Sequence, residues 1–211
     1  MSLMPEKPPL AILIAVTAVG PLTINIFLPS MPGLVADLDT TYAMVQLTLS
    51  LYLAGLAIAQ LVYGPLSDRF GRRRPMLVGL GIFLVGSVVC ATAPTIGVLI
   101  GGRGLQAVGG CAGGVVGRAL VRDMFDRERS ASMIAYITMA MVVAPMLAPT
   151  IGGTLDEWVG WRYSFVFVLV FGALVMLGCL FVLAETHGPE RRKAVAEAHI
   201  SILGLLKIPA F

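Results

Sequence analysis

Gly64-Pro65-Leu66-Ser67-Asp68-Arg69-Phe70-Gly71-Arg72-Arg73-Arg74 is the stretch whose reading decides the fold. It is the densest patch of charge in the chain, and an apolar run abuts it on either side. Asp68, Arg69, Arg72, Arg73 and Arg74 cannot rest in hydrocarbon. The spacing therefore predicts a short, tight, water-facing connection between two membrane-buried segments.

The composition agrees with that reading. Of 211 residues, 57% are hydrophobic and 13% charged, where soluble domains carry roughly a quarter charged residues. Mean hydropathy is +0.89. The chain reads as an integral membrane protein of several all-α spans, and its net charge of +3 points to the bilayer and not to nucleic acid. Cys90, Cys111 and Cys179 are odd in number, lie in apolar runs and lack the paired spacing of a zinc site or disulfide framework. His187 and His199 have no partner at helical ligand spacing. No nucleophile and base pair, phosphate loop or metal spacing appears, so an enzyme is not indicated and no cofactor is implied. Lys7 precedes an apolar run too long for a signal core, so the first helix is expected to stay.

A hydrocarbon core of about 30 Å takes about 20 apolar residues as helix. Six runs meet that yardstick: about 9–28, ending at the Pro29 to Pro32 breaker, then 44–63, 75–93, 96–120, 132–151 and 163–184. Six spans return both termini to one side. Lys7, Arg69, Arg72, Arg73, Arg74, Arg118, Arg122, Arg127, Arg129, Arg191, Arg192, Lys193 and Lys207 are assigned to the termini and the even-numbered loops. The odd-numbered loops offer only Arg162, beside Asp37, Asp39, Asp156 and Glu157. By the positive-inside rule both termini and the Gly64 to Arg74 loop are cytoplasmic, which places the chain in the inner membrane. Arg103 is the one basic residue left within a span.

The expected domains are a six-helix bundle over 1–185 and a linker over 186–211. In the linker a polar segment, Glu190 to Glu197, precedes an apolar stretch too short to cross. Two readings stand for it: an amphipathic surface helix, or a chain that stops before a seventh span.

Three motifs narrow the class. In the charged loop, Gly64 admits a neighbouring helix, Asp68 accepts hydrogen bonds at a helix start and Gly71 permits a tight turn. Arg72 to Arg74 have Asp68, Asp123 or lipid phosphate as partners, and a plain positive-inside anchor is the simpler reading. Gly-x-Leu-Ser-Asp-Arg-x-Gly-Arg-Arg nevertheless resembles the signature loop of the major facilitator superfamily almost completely. Leu99, Arg103, Gln106 and Gly109 resemble its second motif, with Ala107 in place of a more usual Gly. Ala144-Pro145 and Ala148-Pro149-Thr150-Ile151-Gly152-Gly153 resemble its antiporter motif, with Ala148 in place of the first Gly. Pro145 and Pro149 remove backbone donors and kink a helix, and Gly152 and Gly153 allow close contact with another. Residues 25–32, the run Gln106 to Asp123, and Gly160-Trp161-Arg162 are similar to the bicyclomycin and chloramphenicol resistance (Bcr/CflA) branch of the drug:proton antiporters.

The resemblance implies one half of a twelve-span fold, six helices arranged as a three-plus-three inverted repeat. It implies multidrug efflux by exchange of small amphipathic molecules against protons. A cavity would be lined by Asn25, Tyr52, Gln60, Arg103 and Gln106, since polar groups in hydrocarbon tend to face an aqueous path. Gly64, Asp68, Arg69, Gly71, Arg72, Arg73 and Asp123 would form the cytoplasmic gate. From its residue type alone, Arg103 has as its alternative reading a structural arginine snorkelling to the outer interface. Asn25 stands where relatives in that branch carry Asp, and Asn holds no proton at neutral pH. A half-length bundle inactive alone, or a parallel homodimer that imitates the full fold, are the competing readings. In these the partner is a second half or a second copy.

Overall fold

The computed structural model describes residues 10–183, so the linker over 186–211 lies outside the described residues. Within them the chain forms α1 (Leu10–Asn25), a 3-10 turn (Leu28–Ser30), α2 (Met31–Asp37), α3 (Tyr42–Phe70), α4 (Arg73–Ala91), α5 (Ile96–Met124), α6 (Arg127–Val159) and α7 (Arg162–Val182). Six segments are long and apolar enough to cross a membrane, the first running from Leu10 through α2 to Asp37.

The helices outrun the spans expected from hydropathy. At 29 residues, α3 and α5 are each ~43 Å long, and α6 with 33 residues is ~50 Å, against about 30 Å of hydrocarbon. A helix satisfies its own backbone hydrogen bonds and does not stop where lipid stops. It ends where a cap ends it. Thr41 and Thr95 accept from the amides of Met44 and Val98, and Asp126 accepts from Arg129, so that each starts a helix.

Four expectations are corrected by this overrun. The water-facing connection contains only Gly71 and Arg72, because Asp68 and Arg69 belong to the last turn of α3. Asp68 therefore closes a helix where it was expected to open one. Pro29 and Pro32 do not end the first segment, since Pro is tolerated in a first turn and each sits at the start of a short helical piece. Arg118 and Arg122, assigned to a loop, lie within α5.

The contacts show a two-fold pattern between α1–α4 and α5–α7. α1 packs on α6 as α5 packs on α3, and α1 packs on α7 as α5 packs on α4. The pairs α1 with α5 and α4 with α7 map onto themselves. This is an inverted repeat of three spans each. α1 and α5 are the most buried helices and α3 and α6 among the least. Consequently α3 and α6 flank the central pair, and a recess between the four opens on one face. The central helices approach closely at two glycines. A Cβ on Gly113 would strike the Val16 carbonyl, and one on Gly152 the Ile26 carbonyl, so α1 lies wedged between α5 and α6 by backbone contact.

Candidate functional site

At the Arg-rich end, Gly71 has φ 88° and ψ 173°, a region essentially reserved for glycine. It ends α3 and turns the chain so that Arg72 points back into the bundle. Arg72 Nη1 donates to Asp68 Oδ1 at 2.6 Å and to Ser67 Oγ at 2.7 Å, and its Nε donates to Asp123 Oδ2 at 2.8 Å. Asp68 lies on α3 and Asp123 on α5, so one guanidinium joins both repeats. Its planar fork suits several fixed acceptors at once. Burial pulls the Arg72 pKa down, but the bonds and charges of Asp123 and Asp68 outweigh it and hold it above its ordinary value. Arg72 is 7% exposed, whereas the Asp68 side chain is 45% exposed and that of Asp123 10%.

A polar cavity of about 310 Å³ adjoins the cluster, lined also by Gly64, Arg118 and Arg122. The close helix approach expected at Gly64 is not found among the described residues. A Cβ there meets nothing within 4 Å, because the position borders this cavity. Arg69 stands apart from the cluster, exposed, its guanidinium 5.5 Å from the Phe70 ring centre. Arg73 donates to the Leu180 carbonyl at 2.8 Å and ties α4 to α7.

Arg103 occupies a second polar centre, fully buried. Its Nη1 donates to the Thr23 carbonyl at 3.2 Å and to Gln106 Oε1 at 3.1 Å. Gln106 Nε2 donates onward to Ser87 Oγ at 2.9 Å. The guanidinium lies 4.3 Å from the Tyr52 ring centre, 5.0 Å from that of Phe27 and 6.0 Å from that of Phe165. Aromatic faces thus supply part of the charge stabilisation that water would give, a contribution of about 2 kcal/mol where the cation is desolvated. Tyr52, Arg103 and Gln106 come together inside the bundle, off the wall of the open recess.

The recess, about 80 Å³, is lined by Thr17, Gly20 and Pro21 of α1, Leu56 and Gln60 of α3, Arg118 of α5 and Met141 of α6, among others. Of the five residues expected in a cavity, Gln60 alone lines it. Asn25 is half-buried and donates to the Pro21 carbonyl of its own helix at 2.8 Å. Pro145 and Pro149 lie inside α6, which continues past both as one helix. Gly153 meets Pro29 at ordinary van der Waals distance, while Gly152 makes the closer approach to Ile26 described above.

A sequence profile described as Major Facilitator Superfamily matches residues 13–210. The chain belongs to the major facilitator superfamily. Among curated relatives it is 38% identical to an uncharacterised MFS-type transporter, YdgK, of Bacillus subtilis (strain 168), over 89% of this chain and 47% of that one. It is 36% identical to multidrug resistance protein D of Escherichia coli (strain K12), over 84% of this chain and 45% of that one. The chain spans about half the length of the curated relatives it matches. Solved structures share the fold. A peptide transporter, POT, superposes with TM-score 0.75 at 19% identity, covering 95% of this chain and 46% of that one. The human organic anion transporter TETRAN gives 0.70 at 22%, covering 88% and 50%. This major facilitator chain thus shares its family with proteins named as transporters.

Three features of this superfamily member escape sequence reasoning. Ser87 receives Gln106 from a neighbouring helix, and nothing in its own surroundings marks it. Arg118 lines both the recess and the polar cavity, and its place inside the fourth apolar run was the available signal. Trp161 Nε1 donates to Asp37 Oδ2 at 2.9 Å, closing the end of the bundle opposite Arg72.

Proposed function

We propose that this chain acts in a secondary transporter that exports small amphipathic molecules in exchange for protons, of the bicyclomycin and chloramphenicol resistance type. The observation that carries the reading is Arg72, held at once by Asp68 on α3 and Asp123 on α5. Alternating access requires one end of the bundle to open while the other stays shut. A latch between the two repeats, made of charged groups that are rehydrated when the end opens, suits such an end. The names of the multidrug relatives support the substrate class. The concentration of arginine at this end supports a cytoplasmic placement in the inner membrane.

In this reading the recess beside α1 and α5, with Gln60 and Arg118 on its wall, receives substrate. Asn25, Tyr52, Arg103 and Gln106 form the polar interior behind it, and Pro145, Pro149, Gly152 and Gly153 shape the helix that seals the outer side. Among the described residues, every Asp and Glu lies at a helix end or in a turn, so the coupling proton is not assigned to a carboxylate here. A second reading is favoured by the one-sided recess: two copies paired in parallel would enclose it between them.

Proton-driven dye efflux from vesicles, with molecular mass measured in detergent, tests both readings. Asp68→Asn is expected to insert normally and to lose export; full export by that variant sinks the gate. A dimeric mass with efflux supports the paired reading, and a monomer without efflux rules out both forms of transport by this chain alone.

A further inference from the structure

Between α3 and α4, with Val108 of α5 as its floor, runs an apolar groove of about 610 Å³. Its walls include Gly55, Ala59 and Val62 from α3, and Val78 and Ile82 from α4. At one end Phe70 and Arg74 frame its mouth. Along α3 the distance from Gly55 to Phe70 is ~22 Å, as helix. One leaflet of hydrocarbon is about 15 Å deep, so the groove crosses a leaflet and reaches its polar boundary at Arg74.

The lining decides what fits. Apolar side chains line the groove along its length, and its one charged side chain, Arg74, stands at the mouth. That arrangement suits an extended hydrocarbon chain carried below a polar head.

Charge decides which chain. Arg74 is exposed and, among the described residues, makes no hydrogen bond or ion pair. The nearby carboxylate of Asp68 is taken by Arg72, while Arg69 and Arg73 add two further positive charges in the same turn of chain. The geometry points to a binding site for an anionic phospholipid, with one acyl chain laid along the α3–α4 groove and the headgroup phosphate on the Arg74 guanidinium. The guanidinium fork matches a phosphate, and the surrounding excess of arginine selects a lipid whose headgroup keeps a net negative charge. The site lies on the flank of the bundle and rests on neither the transport reading nor the gate.

The test reconstitutes the full chain in vesicles of phosphatidylethanolamine with phosphatidylglycerol as the minor lipid, extracts it in mild detergent and counts the lipids retained by mass spectrometry. Phosphatidylglycerol is expected in excess of its share. Arg74→Gln, at an exposed position, should lower that excess about fivefold, the equivalent of ~1 kcal/mol for one basic residue beside an anionic surface, and leave phosphatidylethanolamine unchanged. Val78→Trp fills the groove from an exposed position and should remove retained lipid of both kinds, while inorganic phosphate should not compete. Equal retention by Arg74→Gln and the native chain overturns the proposal. So does displacement by inorganic phosphate, or a Val78→Cys variant that cross-links to protein and not to lipid.

Discussion

The turn at Gly71 and the turn at Gly160 occupy equivalent places in the two repeats, and they are built from one backbone with two chemistries. Gly71 has φ 88° and ψ 173°, and Gly160 has φ 95° and ψ 161°. Each ends the second span of its repeat, and in each case the next helix begins two residues later. Each turn also sends a side chain to the end of the first segment of the opposite repeat: Arg72 to Asp123 on α5, and Trp161 to Asp37 on α2. At the Arg-rich end the tie is a guanidinium among two carboxylates and a hydroxyl. At the other end it is an indole, edge-on to Phe165 at 6.0 Å and covered by Arg162 at 4.2 Å, with Phe165 in turn 5.7 Å from Phe27. Charges released into water are rehydrated, whereas an aromatic plug withdrawn from its socket leaves apolar surface with nothing to cover it. The same fold element thus carries a charged tie at one end and an aromatic tie at the other.

The largest expected effects come from cutting each tie. Arg72→Gln leaves Asp123, almost out of water, without its countercharge, and should cost about 3–5 kcal/mol. Trp161→Ala leaves a hole among Phe27, Phe165 and Leu34 and should cost a similar 3–5 kcal/mol. The causes differ, and a second substitution separates them. Asp123→Asn should restore much of the stability lost in Arg72→Gln, while Asp37→Asn should restore nothing in Trp161→Ala, because Asp37 is exposed. Thermal unfolding in detergent reads all four. Equal rescue at both ends would erase the contrast.

Next in size are the glycines. Alanine at either position must enter a backbone region that only glycine occupies readily, at about 1–3 kcal/mol. Nothing crowds a Cβ at Gly160, so the loss there measures backbone strain alone. If Gly71→Ala and Gly160→Ala differ by more than their range, the two turns are not copies of one element.

How far the chain could be read in advance follows from the same contrast. The six spans were legible because hydrocarbon thickness fixes a minimum apolar length, and the turn at Gly71 was legible because charge cannot sit in lipid. The helix ends were not, because a helix extends into water as far as its caps, as at Asp126, which begins α6. Asp68 and Asp123 were named as partners of Arg72 from charge alone. The Trp161 to Asp37 bond joins residues 124 apart, and neither residue type signals the other. Arg103 was expected on the wall of an aqueous path, and it lies inside the bundle with Thr23 and Gln106 as partners. The rings of Phe27, Tyr52 and Phe165, which complete its surroundings, come from three other segments, so only the packed bundle reveals them.

A smaller effect isolates the indole hydrogen bond. Trp161→Phe keeps an aromatic ring in the socket and removes the donor to Asp37, which water can satisfy instead. About 1 kcal/mol should be lost, well short of the alanine variant. A loss as large as that of Trp161→Ala would mean that the hydrogen bond, and not the aromatic packing, holds this end.

The smallest change in stability is paired with the sharpest change in function. Asp68 and Glu157 stand at matching places, three residues before Gly71 and Gly160. Asp68 binds Arg72, whereas Glu157 is exposed and makes no hydrogen bond or ion pair among the described residues. Removing either charge should alter stability little: Asp68→Asn by up to about 1 kcal/mol, since its side chain is half in water, and Glu157→Gln by less than ~0.5 kcal/mol. Export should nevertheless vanish only in Asp68→Asn, because only that carboxylate belongs to a contact that must form and break in the proposed cycle. Dye efflux measured on both variants at equal protein per vesicle decides the matter. If Glu157→Gln lost export as completely, the gate would have to be assigned to both ends, and the division of labour between charge and aromatic packing would fall.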